Sequence, residues 1–412
     1  MGAPWLRPAA AARHFRGRRP CYGGGAAGRA SRREDGTEFG GGVVTNPLRR
    51  LEALGQSVWL DDLRREWLDD GTLQTLIRRD GVSGLTTNPA IFAQAVESTD
   101  QYLDDIAGQA RSGAGPEAIY EHLVIDDVRR AADLLRSVYD RTGGADGYVS
   151  LEVSPHLAHD TAATIEQARR FWDRVDRPNL MIKVPGTSAG LPTVRVLIAD
   201  GINVNVTLLF SAARYAEVVD CHRQGLVDRA ARSLPLDGVA SVASFFLSRI
   251  DTHVDALLDA TPGTMAAGLR GQAALACAGS AYAAFLAAES TAHWQALAHN
   301  GAQRQRLLWA STSAKDPAYA ELKYVEPLVG PSTVTTLPLA TLSAYRQRGE
   351  PARRLQATMT RAERITRALA ACGIDLDRVA ADLEREGLEK FTAAYDRLLE
   401  RIDEARSQAL RR

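Results

Sequence analysis

A lysine inside a run of apolar, β-branched residues is out of place, and Leu180-Met181-Ile182-Lys183-Val184 carries one. Burying an ammonium group is costly unless it is paired or gives up its proton. A neutral amine is also the nucleophile that forms a Schiff base with a keto group. The chain has only four lysines (Lys183, Lys315, Lys323 and Lys390) among 50 basic residues, so one kept inside a strand is conspicuous. Pro185-Gly186 marks the strand end just beyond it. The competing reading is a lysine on an edge strand or turned outward into helix packing. Two carboxylates sit in similar positions: Glu152 closes Tyr148-Val149-Ser150-Leu151-Glu152, and Asp61 closes Val58-Trp59-Leu60-Asp61. In a sheet buried on both faces an inward carboxylate must be paired or functional. Converging on the lysine, the two would supply the acid and base groups of an aldol cleavage. Asp61 could instead cap a helix, since Asp61-Asp62 precedes a helical pattern; Asp62 is expected to take that role and Asp61 to point inward.

Amides and hydroxyls form a second set. Thr86-Thr87-Asn88-Pro89 ends one strand, and alternation puts Asn203, Asn205 and Thr207 on one face of another. They could orient a substrate hydroxyl or a water, or form a satisfied polar layer. A phosphate handle is suggested by Ser244 and Arg249 around Phe245-Phe246, and by Lys315 after Ser311-Thr312-Ser313. Late-strand loops commonly hold phosphate in barrels, and Arg and Lys bind it.

These residues need strands to carry them. Candidates are Ser57–Leu60, Ser83–Thr87, Gly147–Val153, Leu180–Val184, Asn203–Leu209, Val239–Phe246, Arg306–Ala310 and Thr333–Leu337, with amphipathic stretches such as Thr161–Arg174 and Ser211–Gln224 between them. Alternating strands and helices predict a parallel sheet, and eight strands over roughly 300 residues predict a closed (β/α)8 TIM barrel, a single domain with extra helices. The doubly wound alternative usually places a Gly-rich phosphate loop after its first strand, where this chain reads Asp61-Asp62-Leu63-Arg64. Residues 1–45, rich in Gly, Ala and Arg with no acid before Glu34, predict a disordered extension. A transit peptide is one reading of it and a non-functional extension the favoured one. Residues 46–412 predict the barrel, with a charged, Leu/Ala-periodic helix pair from Arg353 to Arg412 on its exterior.

Composition sets bounds on the rest. Lys and Arg equal Asp and Glu at 50 each, which offers no global attraction for nucleic acid or an anionic membrane. Cys21, Cys221, Cys277 and Cys372 are dispersed, so no metal site or disulfide framework is expected and a reducing cytoplasm is. No apolar run reaches the length of about 18 residues that spans a bilayer; Ala273 to Ala288 reads as a packed helix.

The pattern resembles the transaldolase family, in its longer bacterial branch. The matching segments are Val58-Trp59-Leu60-Asp61-Asp62-Leu63, Gly84-Leu85-Thr86-Thr87-Asn88-Pro89, Ser150-Leu151-Glu152-Val153, Met181-Ile182-Lys183-Val184-Pro185-Gly186-Thr187, the run from Gly201 to Ser211, and Trp309-Ala310-Ser311-Thr312. The Gly201–Ser211 and Thr-Thr-Asn-Pro segments are the most specific. The resemblance implies a cofactor-free, metal-free transferase that moves a dihydroxyacetone unit from sedoheptulose 7-phosphate to glyceraldehyde 3-phosphate, in the pentose phosphate pathway. It implies Lys183 as the Schiff-base lysine and Asp61 as the acid/base at the donor's C4 hydroxyl. Glu152 and Thr207 would hold a water for carbinolamine dehydration, and Asn88 and Asn205 the ketol unit. Ser244, Arg249 and Ser311 resemble the phosphate-binding set. Short-branch members carry an arginine soon after the equivalent of Ser311; here Ser313 and Lys315 follow, and Lys315 is expected to replace it. Related fructose-6-phosphate aldolases carry glutamine at Glu152 and tyrosine at Phe246, so both positions favour transfer. A plain aldolase and a non-catalytic binding barrel are the alternatives; the latter predicts a missing nucleophile or base. A fused isomerase, known in this branch, is not expected in a chain ending at Arg412. The expected partners are sugar phosphates, not nucleic acid or membrane, and the expected state is a monomer or homodimer.

Overall fold

The computed structural model describes residues 46–411; the expected disordered extension, residues 1–45, lies outside the described residues. Eight parallel strands close into one ring in sequence order: β1 (Gln56–Leu60), β2 (Val82–Leu85), β3 (Tyr148–Glu152), β4 (Leu180–Pro185), β5 (Val204–Leu209), β6 (Ser241–Phe246), β7 (Gln305–Ala310) and β8 (Thr333–Leu337). β8 returns to pair with β1, from Gln56↔Thr333 to Leu60↔Leu337. Each strand lies within two residues of its expected bounds, because β-branched runs bounded by Gly, Pro and Asn leave few other readings.

The helices α1 (Pro89–Glu97), α2 (Pro116–Arg141), α3 (Thr161–Val175), α4 (Gly190–Asp200), α5 (Ala212–Ala231), α6 (Ser248–Asp259), α7 (Ala273–Glu289), α8 (Leu339–Arg348), α9 (Leu355–Ala371) and α10 (Leu376–Arg411) cover the ring. Several start where a side-chain oxygen accepts from an otherwise unpaired backbone N–H: Asn88 from Ile91, Asp160 from Ala163 and Ser211 from Arg214. The β7–β8 crossover departs from the pattern, carrying only a 3-10 turn, Glu326–Leu328. α7 is buried along most of its length, as expected of its alanines. Its Gly279 lies so close to α9 that a Cβ there would stand 3.0 Å from the Met359 Cα. Among the described residues, no single helix is long and apolar enough to cross a membrane.

Inside the ring, close packing fixes β1 against β2. Trp59 lies opposite Gly84, its indole Nε1 donating to Asp146 at 2.7 Å, and a Cβ at Gly84 would overlap the indole ring. Gly84→Ala should therefore cost about 2–3 kcal/mol or more, read as a lowered urea midpoint with the slope unchanged. At the N-terminal end of the barrel the polar side chains are used for bracing. Gln56 donates to the Leu328 carbonyl at 2.8 Å and Gln305 to Ser241 at 2.9 Å. Asn203 donates to the Pro178 and Leu180 carbonyls and accepts from the Ala240 N–H. This corrects one expectation: Asn203 ties strand entrances together, far along β5 from the end that carries Thr207.

Two further expectations are corrected. Asp62 caps no helix; the next one begins at Arg65 with no side-chain cap, and Asp62 pairs with Arg64. The C-terminal helix pair does not lie wholly on the barrel exterior. α10 crosses the C-terminal mouth of the strands, touching α1, α2, α6 and β5.

Candidate active site

The mouth holds a cavity of about 200 Å³ lined by Asp61, Thr86, Asn88, Lys183, Ser244, Phe246, Arg249, Ser311, Ser313, Lys315, Thr336 and Phe391, with Ala310 and Pro338. It lies at the strand ends, where βα loops can present polar groups without breaking the packed core.

Lys183 points inward. Its Nζ donates to the Thr87 carbonyl at 3.0 Å and to Glu152 Oε2 at 3.0 Å, with the side chains 4 % and 3 % exposed. The pair follows from register, since Glu152 on β3 lies beside Lys183 on β4. Burial pushes the Glu152 carboxyl above its ordinary range, with the lysine opposing. That makes Glu152 able to take the proton an amine must lose before it attacks a carbonyl carbon. Glu152 Oε1 and the Thr207 hydroxyl are both buried without a protein partner. Neither residue lines the cavity wall.

Asp61 leaves β1 toward the same cavity and accepts from the Thr86 hydroxyl at 2.7 Å. Desolvation raises its carboxyl, opposed in turn by the Thr86 hydrogen bond and by Lys183, Lys315 and Arg249. Thr86 in turn contacts the Thr336 hydroxyl at 2.7 Å, so β1, β2 and β8 hold the carboxylate jointly.

The polar set divides differently from its order in sequence. Asn205 donates to Ser150 at 3.0 Å and accepts from Ser244 at 2.7 Å. Ser244 is thus tied to the amide on β5, with its hydroxyl proton already committed, while it still faces the cavity. Asn88 spends its Oδ1 on the α1 cap, which leaves its NH₂ group for the cavity it lines. Arg249, at the start of α6, stacks near Phe246 and Phe391 with its guanidinium carbon 5.4 Å and 5.9 Å from the ring centroids. Burial lowers its proton affinity, opposed by Glu386 and Asp61, and its Nη1 is buried without a partner. A half-buried guanidinium with a free N–H suits an anionic oxygen.

The β6 and β7 ends are stapled together. The Ser248 N–H donates to the Ser311 carbonyl at 3.1 Å, and the two hydroxyls meet at 2.8 Å. Ser311 holds φ at 54°, in the left-handed region that non-glycine residues enter at a cost. Lys315 reaches the cavity rim, donating to Ser313 at 2.8 Å. Of the residues singled out in the sequence, Asp61, Lys183, Asn88, Ser244, Phe246, Arg249, Ser311 and Lys315 line the cavity, Glu152, Thr207 and Asn205 are buried without lining it, and Asn203 lies at the strand entrances. Sequence reasoning missed Thr336 and Phe391. The Thr335-Thr336 pair in β8 was a readable signal for the first; for Phe391 there was none.

Ring, mouth and cavity define a (β/α)8-barrel enzyme. Residues 58–402 match the family model described as transaldolase/fructose-6-phosphate aldolase. A protein named transaldolase from Thiobacillus denitrificans is 48 % identical over 87 % of this chain and 99 % of its own length. Streptomyces coelicolor transaldolase 1 is 46 % identical over 87 % of this chain and 94 % of its own. Nostoc transaldolase 2 is 42 % identical over 88 % and 98 %. The chain belongs to the transaldolase/fructose-6-phosphate aldolase family.

Proposed function

We propose that this protein is a transaldolase, a transferase that moves a dihydroxyacetone unit from sedoheptulose 7-phosphate to glyceraldehyde 3-phosphate through an imine on Lys183. The observation that carries the reading is the buried Lys183 amine, 3.0 Å from Glu152 and sharing its cavity with Asp61. Lys183, its proton passed to Glu152, attacks the donor's C2 carbonyl. The carbinolamine loses water, with Glu152 and Thr207 placed to hold it. Asp61 takes the C4 hydroxyl proton, the C3–C4 bond breaks, and its electron pair moves toward the imine nitrogen. The same steps reversed join the three-carbon unit to the acceptor aldehyde. The imine is the electron sink, so the chemistry asks for neither metal nor organic cofactor.

In this reading Asn88 and Ser244 hold the ketol hydroxyls, and Asn205, expected to share that role, instead fixes Ser244 from β5. Arg249, Ser311 and Lys315 are placed to hold the phosphate, with Phe246 as the apolar wall between. Ser313 and Lys315 standing where short-branch members carry arginine make the cation of that loop a lysine, a point charge where a bidentate fork would be. The setting we assign is the cytoplasm, supported by Cys221, Cys277 and Cys372 as free thiols, with sugar phosphates as partners.

Borohydride reduction in the presence of fructose 6-phosphate tests the imine. A hydrolysis-stable adduct is expected on the peptide carrying Lys183. An adduct elsewhere, or none in active protein, removes the mechanism.

A further inference from the structure

α10 is seated on the mouth by a local distortion of β5. The β5–β6 pairing shifts between Val206 and Leu209, and Leu208 adopts φ of 61°, a left-handed conformation that costs a non-glycine residue energy. Leu208 meets α10 at Gly387, where a Cβ would stand 2.9 Å from Leu208 Cδ2. Gly387 therefore sets how closely the helix approaches. Phe391 lies four residues on, on the same helix face, and enters the cavity. Its ring centroid is 5.6 Å from Lys183 Nζ and 5.9 Å from the Arg249 guanidinium carbon, and it is 4 % exposed.

Resting on the imine reading, we propose that Phe391 is a positioning residue that decides the fate of the bound three-carbon unit, by keeping water from it until an acceptor aldehyde arrives. After cleavage the unit is an enamine on Lys183, with two outcomes. In transfer, C3 bonds to the acceptor's aldehyde carbon, the new alkoxide takes its proton back from Asp61, and one water then adds at C2 to free the longer sugar and the amine. In release, C3 takes a proton, water adds at C2 and the C–N bond breaks; one water molecule balances the conversion to free dihydroxyacetone and free amine. The two differ in timing: release needs a proton at C3 and water at C2 before the acceptor arrives, and transfer needs water only after the new C–C bond has formed. Phe391 is the aromatic group that α10 brings over that nitrogen, spanning from the amine to the phosphate-side cation, so an acceptor's phosphate can reach Arg249 while the ring covers the amine.

The test is a product ratio. Phe391→Ala and Phe391→Leu are incubated with fructose 6-phosphate, with and without erythrose 4-phosphate, and free dihydroxyacetone is measured against transfer product. Phe391→Ala should raise the release-to-transfer ratio about tenfold or more, a barrier difference of about 1.4 kcal/mol, and Phe391→Leu should raise it less. Both should still give the borohydride adduct on Lys183. A general loss of packing would lower both products together and leave the ratio unmoved. An unchanged ratio in a variant that still labels on Lys183 overturns the proposal. If the alanine variant does not fold, the leucine variant decides by the same ratio. Absence of label in the wild-type chain would instead sink the imine reading.

Discussion

Lys183→Ala is expected to lower transfer by on the order of 10⁴- to 10⁶-fold, because the group that forms the covalent intermediate and receives the electron pair is gone. Acid–base groups elsewhere cannot compensate, since without the imine the carbanion has no sink. The fold should survive, with a pH-dependent signature. Glu152 is buried beside the lysine, and Lys183 is what holds its raised carboxyl down. Removing the amine lifts that carboxyl further. A group whose folded-state pKa lies above its unfolded value contributes stability below the unfolded value and loses it as pH rises through the folded one. The melting-temperature deficit of Lys183→Ala against wild type should therefore be small near pH 5 and larger near pH 8. A deficit that does not change over that range would contradict the pairing, and transfer within about tenfold of wild type would contradict the role.

Asp61→Asn separates imine formation from bond cleavage. The asparagine oxygen can still accept from Thr86, whose hydroxyl lies 2.7 Å from Asp61, so the geometry should hold. The lost base should slow cleavage by about 10²- to 10⁴-fold, while borohydride still traps fructose 6-phosphate on Lys183. Loss of trapping together with cleavage would show that Asp61 acts earlier than proposed. The variant should also be more stable near neutral pH. Burial raises the Asp61 carboxyl, so its stabilising contribution is present below the ordinary aspartate value of about 3.9 and lost as pH rises through the higher folded value. Asparagine removes that loss. Its advantage in melting temperature should shrink as pH falls toward the ordinary value, so stability and rate change in opposite directions at this position.

Much of this site was legible because charge inside an apolar run is hard to explain by packing. Lys183, Glu152 and Asp61 each stand at the end of a β-branched strand, and the barrel follows from the number and spacing of such runs. Inter-strand register was not legible. Ser244 and Arg249 are near neighbours in sequence, and that nearness grouped them as a phosphate handle. In the fold Ser244 turns to Asn205 across the β5–β6 pairing, while Arg249 opens onto the mouth from α6. Phe391 was invisible for another reason. In the α10 pattern it is one apolar residue on the buried face, like Leu388 and Leu398, and only the path of the helix separates a core residue from one over the cavity. Asp62 was misread because two adjacent acids before a helix look like a cap, while the helix begins later.

The ring is closed by residues far apart in the chain: β1 near residue 56 completes its pairing only with β8 near residue 333. Asp61 leaves β1, Lys183 lies in β4 and Ser311 follows β7, so the acid, the amine and the complete anion site are drawn from most of the barrel's length. Turnover is thus a reporter of topological completion. A nascent or refolding chain can hold nearly all its secondary structure and remain catalytically silent until its first and last strands meet, which contacts of such long sequence separation make a late event.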